Sequence, residues 1–187
     1  MVRWQPGSAD RLRAAALDLY RTHGFEQTTV ADIAAAVGVS ERTFFRHFAD
    51  KREVLFQGQE DLKSMFVDGI HDAPADATPL QVTAFALARV ATFFPQERQA
   101  YSTLRREVVE ANPSLVEREQ FKAASLASGI SAAFRERGMR DPAATLSAQA
   151  ALAVFHVAFM MWTTPGEQRD YAQLVGVAIE ELKSLTA

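Results

Sequence analysis

The side chains between Ser40 and His47 mix hydroxyl, guanidinium, imidazole and aromatic groups within one short run, SERTFFRH. On a helix, Phe44 and Phe48 at i, i+4 share a buried side, which leaves Glu41, Arg42, Thr43, Phe45, Arg46 and His47 facing outward. Arginine matches the O6/N7 edge of guanine, hydroxyls reach phosphate, and an aromatic ring lies against a sugar or a thymine methyl. That is the chemistry of a helix that reads the DNA major groove. The bland alternative is a surface hairpin with a mixed-charge face, and an exposed aromatic among those groups argues against it. Catalytic groupings are missing by comparison. The histidines at 23, 47, 71 and 156 have no metal-ligand spacing, and the pair Asp68–His71 has nothing nearby to complete a site. With no cysteine there are no disulfides, thiolate metal sites or cysteine nucleophiles. No Walker loop, Rossmann fingerprint or nucleophile elbow is present. The expectation is therefore no catalytic residue, no metal and no cofactor.

Elements to position the Ser40–His47 face are written into Thr28–Lys51. Val30, Ile33, Ala34 and Val37 give one apolar helical face, and Thr29 with Asp32 forms the start signal of that helix. Gly38 stops it, and Ser40 caps the next one. A helix-turn-helix results. Ahead of it, Leu12, Ala15, Ala16, Leu19, Tyr20 and His23 keep a helical stripe that follows Ser8 and ends at Gly24. Thr28 and Thr29, at the mouth of the next helix, are placed to offer hydroxyl and N–H groups to phosphate. Met1–Gly7, with Arg3 and Trp4, reads as an unstructured arm. After Phe48, Asp50 with Glu53 starts a helix that the pattern carries through Val54, Leu55, Leu62, Phe66 and Ile70. The spacing makes this helix the only direct covalent link between the DNA-reading part and the rest.

In its residues the stretch resembles the DNA-binding region of TetR-type repressors. Thr29, Ile33, Ala34, Gly38, Val39, Ser40, Thr43, Phe44, His47, Phe48 and Lys51 stand at that family's positions, and the likeness covers about residues 9 to 56. Two departures matter. Phe45 replaces the usual tyrosine and its phosphate hydrogen bond, and Arg42 stands where a small residue is common, which makes it the leading candidate for base readout. The resemblance also implies that Lys51 meets a phosphate, that an effector cavity lies in the C-terminal region, and that the last two helices make a two-fold dimer.

Composition sets the bounds. The 187 residues are 48% hydrophobic, enough for a real core, and the net charge is −3. Residues 1–52 carry eight Lys/Arg against six Asp/Glu, so the basic bias sits at the end expected to meet DNA, and it is modest. No apolar run at the N-terminus suggests a signal peptide. The stretch Ala148–Trp162 is interrupted by Gln149 and His156 and is too short to span a bilayer. A cytoplasmic protein with no membrane partner is expected.

Past Ile70 the pattern is helical throughout, with helices near 79–93, 95–111, 113–137, 142–163 and 167–185. Thr78-Pro79, Asn112-Pro113 and Asp141-Pro142 each place an N-cap residue before a proline. Aromatic residues are abundant here. A packed core accounts for most, but helix bundles also hold small molecules between helices lined with such side chains. The candidate ligand set is Phe66, Phe85, Tyr101, Leu104, Arg105, Phe121, Phe134, Phe155 and Phe159. Arg105 and Arg106 would hold an anionic group, or else pair with Glu107 or Glu110. The run RREVVEANPSLVER faintly resembles repressors with acyl-CoA-like ligands. Ala148–Trp162 is apolar nearly all round, and Tyr171, Leu174, Val175, Ala178, Leu182 and Leu185 form another stripe, more apolar face than a lone bundle of this size needs.

The fold expected is all-α, with a three-helix helix-turn-helix DNA-binding domain at 8–52 and a helical ligand-binding and dimerisation bundle at 53–187. The function expected is a homodimeric repressor on palindromic operator DNA, released by a small hydrophobic or acyl-type effector. Two alternatives stand beside it: a dimeric DNA-binding protein without small-molecule input, and a helical enzyme or protein-interaction module.

Overall fold

The first long stripe of the sequence becomes α1 (Ser8–His23), which buries Leu12, Ala16, Leu17 and Tyr20. Ser8 is its first residue rather than its cap: no side chain caps this helix, and the Ser8 hydroxyl is used elsewhere. The computed structural model describes residues 7–186, and among them the secondary structure is helix and turn without strand. The arm with Arg3 and Trp4 lies outside the described residues.

The next two helices form as their local signals dictate. α2 (Val30–Ala36) starts with a reciprocal capping box between Thr29 and Asp32. It ends at Gly38, whose φ of 70° is a left-handed conformation that glycine adopts without steric cost. α3 (Glu41–His47) begins where Ser40 accepts the Thr43 amide. Their inner faces bury Ile33, Ala34, Phe44 and Phe48.

The expected continuous helix from Asp50 to Ile70 is broken in two. Asp50 does accept the amides of Arg52 and Glu53, but the chain then makes only a single 3-10 turn, Glu53–Leu55. α4 (Gln59–Asp72) begins only after Gly58, which stands at φ 89° with the Phe93 ring packed against it. The periodicity of Leu62, Phe66 and Ile70 belongs to α4 alone. Five more helices complete the described chain: α5 (Pro79–Ala91), α6 (Gln99–Glu110), α7 (Pro113–Glu136), α8 (Ala143–Trp162) and α9 (Tyr171–Thr186). Thr78 and Gln81 cap α5 as a box, and α8 starts one residue after the proline expected to open it.

Two compact units divide the chain. One is Met1–Gln57 together with Leu104–Glu119, and the other is Gly58–Thr103 together with Gln120–Ala187. The backbone therefore passes between units at three places, where the sequence suggested a single link. In the first unit, Val108, Val109 and Leu115 are buried, and two arginines tie their segment to the 3-10 turn. Arg105 Nε donates to the Leu55 carbonyl at 2.7 Å, and its guanidinium lies 5.1 Å from the centre of the Phe56 ring. Arg118 Nε donates to Glu53 Oε1 at 2.8 Å.

In the second unit, α4, α5, α8 and α9 pack around Phe66, Ile70, Leu87, Val90, Trp162, Tyr171 and Leu174. Gly69 admits the backbone of Ala86 so closely that a Cβ would sit 2.7 Å from its Cα, which seats α4 on α5. α8 is longer than the stretch judged too short to span a bilayer. At 20 residues and a mean hydropathy of 1.6 it is long and apolar enough to cross one by length and composition alone. Ala144, Ala148, Ala151, Val154, Ala158 and Trp162 form its buried side, packed on neighbouring helices.

Candidate nucleic-acid interface

α3 exposes four of the six residues that the sequence placed on its outward face. Phe44 is fully buried and Phe48 nearly so, and with those two anchors inward Glu41, Arg42, Phe45 and Arg46 are exposed. Phe45 is 54% exposed, and its ring meets Phe44 edge-on at 5.5 Å, which fixes its direction. Among the described residues no ion pair engages Arg42 or Arg46. Two guanidinium groups and a large ring thus stand in solvent on one short helix. Thr43 and His47 are half-buried at its edges. His47 Nε2 is 2.8 Å from Ser8 Oγ, so the imidazole is steadied by the first turn of α1.

The remaining candidates of this unit are drawn into its internal bonding. Thr28 is buried, and its hydroxyl donates to the Gly24 carbonyl at 2.8 Å rather than facing outward. Thr29 shares its hydroxyl with Asp32 in the capping box, 2.6 Å from Oδ2. The hydrogen bonds from the Thr29 hydroxyl and amide hold the Asp32 carboxyl below the usual carboxylate range. Ser40 Oγ lies 3.1 Å from Thr43 Oγ1 while capping α3. Lys51 turns its ammonium onto three backbone carbonyls, those of Phe25, Glu26 and Thr28.

The candidate ligand residues divide between the units. Phe66, Phe155 and Phe159 come together. Phe155 meets Phe66 at 5.7 Å and stacks on Phe159 at 6.4 Å. Three rings outside the expected set complete a nest with them: Phe94, Trp162 and Tyr171. Tyr171 donates its hydroxyl to the Phe155 carbonyl, and burial pushes its phenol well up, so it stays neutral. Trp162 is 0% exposed, yet its indole N–H has no acceptor among the described residues. Trp162 was legible as an apolar position, but nothing in the spacing marks an indole that will lack a partner. Phe134 is buried in the same core, and Tyr101 is half-buried on α6. Phe85 and Phe121 are on the surface, the latter 66% exposed. Leu104 and Arg105 belong to the first unit, where Arg105 pairs with Glu119 at 2.9 Å instead of with Glu107 or Glu110. Arg106 approaches Glu110 at 3.9 Å.

Comparison with known proteins places this geometry. Residues 12–57 match the family described as bacterial regulatory proteins, tetR family. The chain is 42% identical over 81 residues to the HTH-type transcriptional regulator TcmR of Streptomyces glaucescens. That match covers 43% of this chain, and the chain spans 36% of the length of that relative. Among solved structures, a transcriptional regulator FadR from Bacillus subtilis in complex with stearoyl-CoA aligns at a TM-score of 0.59 and 16% identity, covering 92% of this chain and 96% of that one. Thermus thermophilus FadR, a TetR-family repressor in complex with lauroyl-CoA, aligns at 0.51 and 21%, covering 94% and 93%. At these identities the structural likeness speaks to the fold alone.

Proposed function

We propose that the chain is a TetR-family transcriptional regulator, as the match over residues 12–57 and the likeness to TcmR support, and that it is a repressor that binds palindromic operator DNA as a homodimer. The observation that carries this is α3, anchored from beneath by Phe44 and Phe48 with Arg42, Phe45 and Arg46 in solvent. Arg42 reads a base edge, Phe45 packs against sugar or methyl, and Arg46, with Thr43 and His47 at the helix edges, holds the phosphates that flank the site. Two copies of α3 enter successive major grooves about one helical turn apart. The copies join through α8 and α9, where Leu146, Val157 and Val177 are exposed on helices that otherwise serve the core. The protein works in the cytoplasm, beside its DNA.

Release comes from a small hydrophobic or acyl-type effector taken up at the aromatic nest. What supports this is the unpartnered indole N–H of Trp162 among apolar rings, a donor waiting for a carbonyl oxygen, and the two acyl-CoA complexes among its structural neighbours. An effector acts only through its difference in affinity between two states, and about 3 kcal/mol loosens operator binding roughly a hundredfold. One observation favours a regulator without small-molecule input: Phe66, Phe134, Trp162 and Tyr171 are almost fully buried, as the residues of an ordinary packed core are.

The test has two parts. Selection from a random duplex pool should enrich a palindrome, and Arg42→Ala should relax base preference at one position per half-site. Equal losses on enriched and scrambled duplexes would remove Arg42 from base readout. Thermal shift with lauroyl-CoA and stearoyl-CoA should show stabilisation that grows with free ligand over Kd. No shift at saturating concentrations would leave the input-free regulator.

A further inference from the structure

We infer that Lys51 is a positioning residue for DNA reading: it fixes the setting of α3 by tying the chain after α3 to the turn before α2, instead of contacting phosphate itself. The inference rests on α3 as the element that meets the bases. An ammonium group has three N–H donors, and here each has an acceptor. Lys51 Nζ lies 2.8 Å from the Phe25 carbonyl, 3.2 Å from that of Glu26 and 3.0 Å from that of Thr28. The same nitrogen stands 4.4 Å from the centre of the Phe25 ring. Tyr20, buried on α1, donates its hydroxyl to the Lys51 carbonyl at 2.6 Å and meets Phe25 edge-on at 5.1 Å. Lys51 is therefore bonded at both its backbone and its side-chain end.

The consequence is topological. α2 and α3 are already joined at one end through the Gly38 turn, where the Val39 amide returns to the Ala34 carbonyl at 3.0 Å. The Lys51 ammonium ties their other ends, the entry to α2 and the exit from α3. Two short helices closed at both ends have little freedom left in their crossing angle, and the direction of Arg42 and Phe45 is set with it. A phosphate could recruit Lys51 only by taking the ammonium from at least one carbonyl. The carbonyl given up would lose a charged donor, and two of the three, those of Phe25 and Thr28, are part-buried.

The test uses the full-length protein, the duplex enriched by the wild type, and a scrambled duplex of the same composition. With helix content confirmed by circular dichroism, Lys51→Gln should weaken the enriched duplex by about tenfold or more and the scrambled one by less than about twofold. The slope of log affinity against log salt should stay unchanged. A phosphate contact predicts the opposite pattern, equal losses on both duplexes with a slope shallower by about 0.9 per contact removed. A lower melting temperature with both affinities intact would mean a purely structural tie, and it too would overturn the inference. Wild-type protein gives a check that needs no variant. The Lys51 Nζ signal in nitrogen-detected NMR should exchange slowly with water in the free protein and persist when the duplex is added. A signal that appears only with DNA would overturn it. If no duplex enriches, the DNA-reading role of α3 falls first, and the slow-exchanging ammonium alone would still report the tie.

Discussion

Replacing Trp162 by phenylalanine should cost far less than the removal of a buried tryptophan usually does. Indole exceeds phenyl by one nitrogen and two carbons. At about 0.8 kcal/mol for each buried CH2, the lost carbons destabilise by roughly 1.6 kcal/mol. The nitrogen works in the other direction. Its N–H is buried with no acceptor among the described residues, and a buried unsatisfied donor costs about 1–3 kcal/mol, which the substitution relieves. The two effects oppose each other at similar size, so Trp162→Phe should lie within about 1 kcal/mol of wild type. Trp162→Ala removes both and opens a cavity beside Phe94, Phe159 and Tyr171, for which about 3–5 kcal/mol is the ordinary cost. Urea unfolding at one fixed protomer concentration measures both, and an unchanged m shows that the unfolded state is the same. If Trp162→Phe costs as much as Trp162→Ala, the indole is satisfied in solution and the reasoning fails. The same variant should also lose stabilisation by acyl-CoA if the N–H holds the effector's oxygen.

Glu53→Gln and Arg118→Ala should be non-additive, with a coupling on the order of 1 kcal/mol in a double-mutant cycle read by denaturation, and additivity would show that the pair does no structural work. Acid should destabilise the fold. Asp32, Asp50, Asp141 and Glu167 all have folded values below their ordinary ones, Glu167 held at about 2 by the side chain and amide of Arg169. For Asp50, burial pushes up, but the Glu53 amide and the Arg52 guanidinium and amide outweigh it. A depressed carboxylate contributes above its unfolded pKa, and the contribution fades as pH falls toward the folded one, so stability should drop below about pH 4. NMR titration of the Glu167 carboxyl checks this, and an ordinary value would refute it. Val157→Glu places a charge on the exposed face of α8 and should shift sedimentation from dimer to monomer. A dimer of unchanged affinity would locate the interface elsewhere.

The parts of the fold that could be read from sequence are those fixed within a few residues. The Thr29–Asp32 box, the Gly38 stop and the Ser40 cap are local chemistry, and α2 and α3 begin and end where they direct. The exposed set on α3 follows from Phe44 and Phe48 alone. What escaped depends on partners distant in sequence. Asp50 and Glu53 carry a real start signal, but a left-handed Gly58 under the Phe93 ring ends what they began. Thr28 and Lys51 have the residue types of phosphate contacts, and only the folded turn shows them bonded to carbonyls of their own chain. Arg105 has the charge to hold an anion, but its partners are Leu55 and Glu119. Composition cannot separate such cases, because the same donor serves either purpose.

The discontinuous make-up of the first compact unit has a bearing on how the molecule is born. Synthesis delivers Met1–Gln57 early, but Leu104–Glu119, with Arg105 and Arg118, leaves the ribosome roughly sixty residues later. Until then the 3-10 turn at Glu53–Leu55 lacks its arginine partners, and the nascent helix-turn-helix waits half-finished. For the same reason the reading head is not a cassette. Grafted at Gln57 onto a foreign sensor, it would travel without the sixteen-residue insert that completes it, and a working chimera would have to carry both pieces.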